Sequence, residues 1–308
     1  MRENGKQITE TEEFKAFAKE IDFLTEFVYD LSELISVYGR IISYNTDKGF
    51  YNFDTSLIDS SVQTLRSIKL CCSIGSFSDA NTLTRKLRDD LIQYVYILNI
   101  INLRKPFLEE SIQNIKIDNA EDFAKSFLNL EFNPNFTEDE QAVSAWFHNA
   151  VSDLKYSVKK KLEFENYMNV LKQNKNISHI LISYNLQKYW ENLRIKLNNY
   201  VHNNGTQYSL HNFVSADNKN LATHLKNVNY RTSYITSFFL ILLLMVESSL
   251  IASTNYIDHL DCGLEPPQDS QYFIASFIQN FIDTKITTLH PELKKYLIDN
   301  NINGMKIE

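Results

Sequence analysis

SFSDANTLTRKLRDDLIQYVYILNIINL, residues 76–103, is the stretch whose reading decides the fold. Ser76 and Asp79 stand at the spacing of a helix-capping pair, and Ala80, Leu83, Leu87, Leu91, Val95, Leu98 and Ile101 follow at steps of three and four. That period marks one face of a helix. It runs on until Pro106, where the proline ring turns the preceding residue away from helix. Just upstream, Ser56 and Asp59 open a second stripe through Leu57, Ile58, Val62, Leu65, Ile68 and Cys72, which stops at Gly75. Two helices joined by so short a linker are expected to pack antiparallel.

The same periodicity spreads outward. Thr9 and Glu12 form a capping box ahead of one long amphipathic helix carrying Phe14, Phe17, Ile21, Leu24, Val28, Leu31, Ile35, Tyr38 and Ile42, expected to stop in the turn Asn45–Gly49. Asn119 starts a short helix to Leu130. Thr137–Glu140 caps a long one whose buried face is Val143, Trp146, Phe147, Ala150, Leu154, Val158 and Leu162. Leu186, Tyr189, Trp190, Leu193, Leu197, Tyr200 and Val201 predict a helix closed by His202–Gly205. An apolar helix is expected from Tyr230 to Tyr256, another from Ser270 through Phe273, Phe277 and Phe281, and a last one from Pro291 to about Asp299.

Composition agrees. Only 7 glycines and 5 prolines punctuate 308 residues, too few for a sandwich or barrel, which needs a turn every ~8 to 12 residues. A net charge of −7 argues against broad attraction to polyanions and leaves room for a local basic patch. Three cysteines, two of them the neighbours Cys71 and Cys72, give no disulfide framework and fit a reducing compartment. Residues 1–13 are polar and acidic without the apolar core of a secretory signal. The most apolar run, Phe238 to Val246, is followed by Glu247, Ser248 and Ser249, whereas a spanning helix needs about 20 apolar residues. The expectation is one cytoplasmic, all-α domain over residues 1–308, with that helix buried in its core and no membrane contact.

No glycine-rich dinucleotide or phosphate loop, no HExxH, no GxSxG and no EF-hand loop is present, so neither a cofactor nor a metal is expected. The nearest approach to a metal cluster, Asp258-His259-Leu260-Asp261, lacks a supporting ligand set. Lys159–Lys161 read as a solvated run, and most of the 17 tyrosines and 20 phenylalanines fall on the same stripes as leucine and isoleucine. What remains is the segment Arg194 to Asn204 and the charged run Arg85-Lys86-Leu87-Arg88-Asp89.

Gly75, Ala80, Leu83, Arg85, Leu87 and Asp89 fall on the pattern G-x4-A-x2-L-x-R-x-L-x-E/D, and Tyr200-Val201-His202-Asn203 closes a later helix. In both, the chain resembles bacterial proteins related to the HEPN superfamily, over about residues 54–103 and 186–256. The resemblance implies an antiparallel four-helix core, here with added N-terminal and inserted helices. It also implies a homodimer and a defence or toxin-type effector acting on RNA by metal-independent cleavage, alone or with a partner protein of a toxin–antitoxin or similar system. His202 would then move the proton, Arg194 and Lys196 would contact phosphate, and Arg85, Asp89 and Asn198 would orient them. Lys196 stands where the family carries arginine, and lysine offers a point charge in place of a planar fork. The residues alone equally allow His202 and Asn203 as the cap of a helix end, Arg85 with Asp89 as an i,i+4 surface pair, and the whole chain as a non-catalytic interaction module.

Overall fold

A computed structural model describes residues 7–38, 42–46, 49–115, 117 and 119–308. Long helices carry the core: α1 (Glu12–Tyr38), α2 (Ser56–Ser73), α3 (Phe77–Leu103), α10 (Leu186–Val201) and α12 (Leu221–Glu247). Shorter ones lie between and after them: α4 (Glu109–Gln113), α5 (Ala120–Leu128), α6 (Glu138–Phe147), α7 (Tyr156–Lys159), α8 (Phe164–Leu171), α9 (Lys175–Ser183), α11 (Thr206–Leu210), α13 (Asn255–Asp261), α14 (Ser276–Phe281), α15 (Thr287–Leu289) and α16 (Pro291–Asn300). Among the described residues the fold is all-α apart from one hairpin, β1 (Ser43–Thr46) and β2 (Gly49–Asn52), paired antiparallel with Tyr44 opposite Tyr51.

The quoted stretch is the axis of the molecule. α2, α12, α10 and α8 all pack on α3, and α1 closes the ring between α2 and α12. From Leu91 to Ile100 every α3 residue except Gln93 is buried, as expected of a helix that is apolar all round and sits inside a bundle. α12 behaves alike, with Tyr234 to Val246 buried without a break. Leu221–Ile251 is long and apolar enough to cross a membrane, yet 89% of its most apolar window is covered by the rest of the chain. One connected cluster of buried side chains runs from Ile8 to Ile307. α1, expected as an addition to the bundle, is therefore one of its walls.

Local chemistry explains where the elements depart from expectation. α1 is capped by Thr11, whose Oγ1 accepts from Phe14 N at 3.2 Å, while the capping box sits one turn earlier, on Gln7 and Glu10. Its described part runs to Tyr38, and Ile42 is not in it; residues 39–41, and Asp47 and Lys48 of the expected turn, lie outside the described residues, as do residues 1–6 of the N-terminal segment. α2 starts behind Thr55, and Asp59 ties it to α1 by accepting from Ser32 Oγ at 2.6 Å. The long helix expected after Thr137 stops at Phe147. Asn149 there adopts φ 55°, and Ala150 N returns to Ala145 O at 2.8 Å, a left-handed helix stop that asparagine tolerates. α12 begins nine residues before Tyr230, because Leu221, Leu225 and Val228 already lie on its buried face. Tyr256 belongs to the separate α13, and Ser270 opens a single 3-10 turn before α14.

Candidate functional site

α3 and α10, far apart in the chain, do fold against each other. Of the residues expected to act there, Arg85 and Asp89 meet on α3 at 3.5 Å. Asp89 is held more tightly by Arg88, whose Nε and Nη2 donate to Oδ1 at 2.8 and 2.6 Å. Arg88 is only 1% exposed, and its guanidinium lies 3.9 Å from the centre of the Phe164 ring. Burial pushes the Asp89 carboxyl up, and both arginines pull it back. Arg194 is taken by Glu165 on α8. Lys196 is exposed, and Asn198 is half-buried with its Oδ1 unpaired. His202 sits at the C-cap of α10, with its backbone N–H on Asn198 O at 3.0 Å and its ring in solvent. Among the described residues no contact joins that ring to Arg85, Asp89, Arg194 or Lys196. The arginines of this seam are neutralised by carboxylates and serve the α3–α8–α10 packing.

One turn nearer the N-terminus of α3, a different set of side chains converges. The loop after α11 is anchored across the start of α3. Phe77 N donates to His211 O at 2.9 Å, and Asn212 Oδ1 accepts from the backbone of Ser78 at 2.9 Å and of Asp79 at 3.2 Å. Asn212 thus caps α3 from more than a hundred residues away. Gly75 makes the crossing feasible: its φ is +78°, and a Cβ there would lie 1.9 Å from Val214 O. This anchoring brings the His211 ring to the His224 ring, 4.6 Å between centres and edge-to-face at 69°. His224 in turn stacks on the fully buried Phe77 at 5.0 Å.

Arg231 lies seven residues beyond His224, hence on the same face of α12. It donates to Asn81 Oδ1 and stands 5.5 Å from the Tyr200 ring centre. Asn81 is 2% exposed and donates its own amide to Phe77 O at 2.6 Å, which turns its oxygen toward the guanidinium. Tyr200 and Tyr208, 4.9 Å apart, border His211 at 5.9 and 6.3 Å.

The electrostatics follow from this arrangement. Burial, and then Arg231, hold the His211 imidazole below its ordinary range; burial, His211 and Arg231 do the same to His224. Both rings are therefore neutral at pH 7. Arg231 is half-buried, and its described partners are a neutral amide and an aromatic face, with no carboxylate paired to it among the described residues. His211 Nδ1 is buried without a hydrogen-bond partner. An uncompensated guanidinium beside two neutral imidazoles is arranged to receive an anion and to accept a proton next to it.

The sequence reading missed this site because its residues are scattered over positions 77 to 231. The one local signal was the seven-residue step from His224 to Arg231. Elsewhere, among the described residues no three His, Cys, Asp or Glu side chains gather as a metal site, and His259 Nδ1 donates to its own helix at Asn255 O. A groove of about 730 Å3 beside α1 and α14 combines Asp30, Glu33 and Glu308 with Lys306 and apolar residues, without a histidine or cysteine in its lining. Comparison with protein-family models, with curated proteins and with solved structures finds no match to this chain.

Proposed function

We propose that the chain is a HEPN-like bacterial defence or toxin-type effector that acts on RNA in the cytoplasm, gripping a phosphate at Arg231 and cleaving beside it with the His211–His224 pair. The observation that carries this reading is the half-buried guanidinium of Arg231, which no carboxylate among the described residues neutralises, set against two imidazoles held neutral. A guanidinium forks onto two phosphate oxygens. Tyr200 and Tyr208 offer ring faces on which unpaired bases stack, a contact worth roughly 1 to 3 kcal/mol per base. One imidazole accepts the proton of the ribose 2′-hydroxyl, and O2′ bonds to phosphorus. The P–O5′ bond breaks, and the proton is returned to the 5′-oxygen. The products are a 2′,3′-cyclic phosphate and a 5′-hydroxyl, with nothing else consumed. Arg231 meanwhile faces the charge that builds on the phosphate oxygens. In this reading Lys196 and His202, either side of Tyr200 on the exposed part of α10, are surface contacts for the strand, and Arg85, Asp89 and Arg194 are structural.

The test is cleavage of an end-labelled, mixed-sequence single-stranded RNA by the purified full chain in EDTA. The expected result is cyclic-phosphate ends, lost at least 100-fold in His224→Gln and His211→Gln, with Arg231→Gln also weakening RNA binding about tenfold, the cost of one charge-assisted contact. Wild-type activity in Arg231→Gln, or an inert wild-type chain, would refute it. A second reading, a non-catalytic interaction module, is favoured by the exposed apolar side chains of α5.

A further inference from the structure

Between Pro106 and Asn133 the chain leaves the bundle and comes back. The base of this excursion is pinned: Asn133 N donates to Pro106 O and Leu108 N to Glu131 O, both at 2.9 Å. The Phe107 and Phe132 rings stack at 5.1 Å, and the buried Arg104 guanidinium donates to Asn133 O at 2.7 Å. Beyond the base, α4 and α5 contain no buried residue at all. Phe123, Phe127 and Leu128 of α5 are 44%, 53% and 82% exposed, and Ile112 and Ile117 add to the same apolar load.

Local devices support α5. Asn119 accepts from Asp122 N at 2.9 Å, Lys125 pairs with Glu121 at 2.6 Å, and Phe123 and Phe127 stack one turn apart at 6.0 Å. A nine-residue helix is marginal in water by itself, since most helical stability comes from a packed apolar face. Here Phe123, Phe127 and Leu128 of that face stay exposed. Large apolar side chains gathered on a projecting element mark an interaction surface.

We propose that the α4–α5 arm docks a basic amphipathic helix of a partner protein. Charge selects the occupant. By sequence the arm carries Glu109, Glu110, Asp118, Glu121, Asp122 and Glu131 against Lys116 and Lys125, and Lys125 is engaged by Glu121. A second copy would bring the same acidic excess and the same net charge of −7. A helix with apolar residues at i, i+3, i+4 and i+7 and a lysine or arginine border matches both the phenylalanine stripe and the arm's excess of acid. The inference is independent of the RNA reading, because no arm residue belongs to the histidine cluster.

The probe is an 18-residue peptide of leucine and lysine in helical period, titrated into the full chain, with a leucine/glutamate peptide of the same pattern as control. The lysine peptide is expected to bind saturably and the glutamate peptide not to bind. Phe123→Ala/Phe127→Ala should weaken the binding at least tenfold, with the melting temperature of the bundle unchanged because neither side chain belongs to its core. Glu121→Lys/Asp122→Lys should reverse the preference between the two peptides. Equal binding to the wild type and the double alanine variant would overturn the proposal, as would no binding at all. A wild-type dimer that the alanine pair converts to monomer in sedimentation would also overturn it, since a second copy would then be the occupant.

Discussion

Gly75→Ala is the substitution through which the position of the histidine cluster can be tested. The new Cβ falls 1.9 Å from Val214 O, 3.0 Å from the carbon of that carbonyl and 3.2 Å from Ile8 Cδ1. Backbone cannot yield as a flexible side-chain tip does, so the Val214 segment must retreat by about 1.1 Å merely to reach the 3.0 Å below which such contacts are essentially never found. Val214 N donates to Gly75 O at 3.3 Å, and the same segment supplies the His211 carbonyl to Phe77 and the Asn212 cap to α3. Three costs therefore coincide: about 1 kcal/mol for alanine at positive φ, about 1 for the lost cap and about 1 for a backbone hydrogen bond.

The control is built into the chain. Gly263 has φ +66°, and a methyl group placed on it would have nothing within 4 Å, so Gly263→Ala carries the dihedral cost and no collision. Gly75→Ala should therefore lose about 3 kcal/mol and Gly263→Ala about 1, a gap of roughly 4 °C in melting temperature at about 2 °C per kcal/mol for a chain of this size. Parallel thermal and urea melts of the two variants measure it. Equal losses would refute the claim that Gly75 is reserved for the Val214 crossing. A Gly75→Ala chain as stable as wild type would remove the anchored loop from the account altogether.

The Arg88–Asp89 pair should respond asymmetrically. Arg88 is buried, whereas Asp89 keeps a third of its side chain in solvent and has Arg85 as a second partner. Asp89→Ala strands a buried cation and should cost about 3 kcal/mol, whereas Arg88→Met should cost under about 1.5; urea midpoints in the reverse order would contradict this account of the seam. His211 and His224 have folded pKa values below the unfolded value of about 6.5, so the unfolded chain binds more protons as pH falls through that value. Their contribution is complete above pH 6.5 and is lost on acidification. Replacing both by glutamine should make the melting temperature less dependent on pH between 7 and 5, and superimposable pH profiles would show that the rings are not held neutral. RNA affinity should run the opposite way in the wild type, tightening as the pH drops and the rings gain charge, which filter binding at constant salt would detect.

What could be read from the sequence was whatever repeats within a few turns of one helix. The stripes of α2, α3, α10 and α12 are local patterns, and the bundle they build needs only that each apolar face find another. Departures from expectation arise where one residue outweighs the pattern, as Asn149 does by taking a left-handed turn in the middle of an apolar period. The candidate site lay beyond such reading for a different reason. His202 is singled out by the resemblance of the end of its helix, and proximity along a helix does not by itself bring side chains together. Leu197 of that segment is buried against the core, while Lys196 and His202 face water. His211, His224, Asn81 and Arg231 meet only because Asn212 caps a helix more than a hundred residues upstream and Gly75 leaves room for the crossing. A charge that is half-buried without a carboxylate partner among the described residues is a property of the assembled fold, invisible until the neighbouring helices are in place around Arg231. That is why the proposed chemistry is sought at the guanidinium of Arg231, with His211 and His224 beside it.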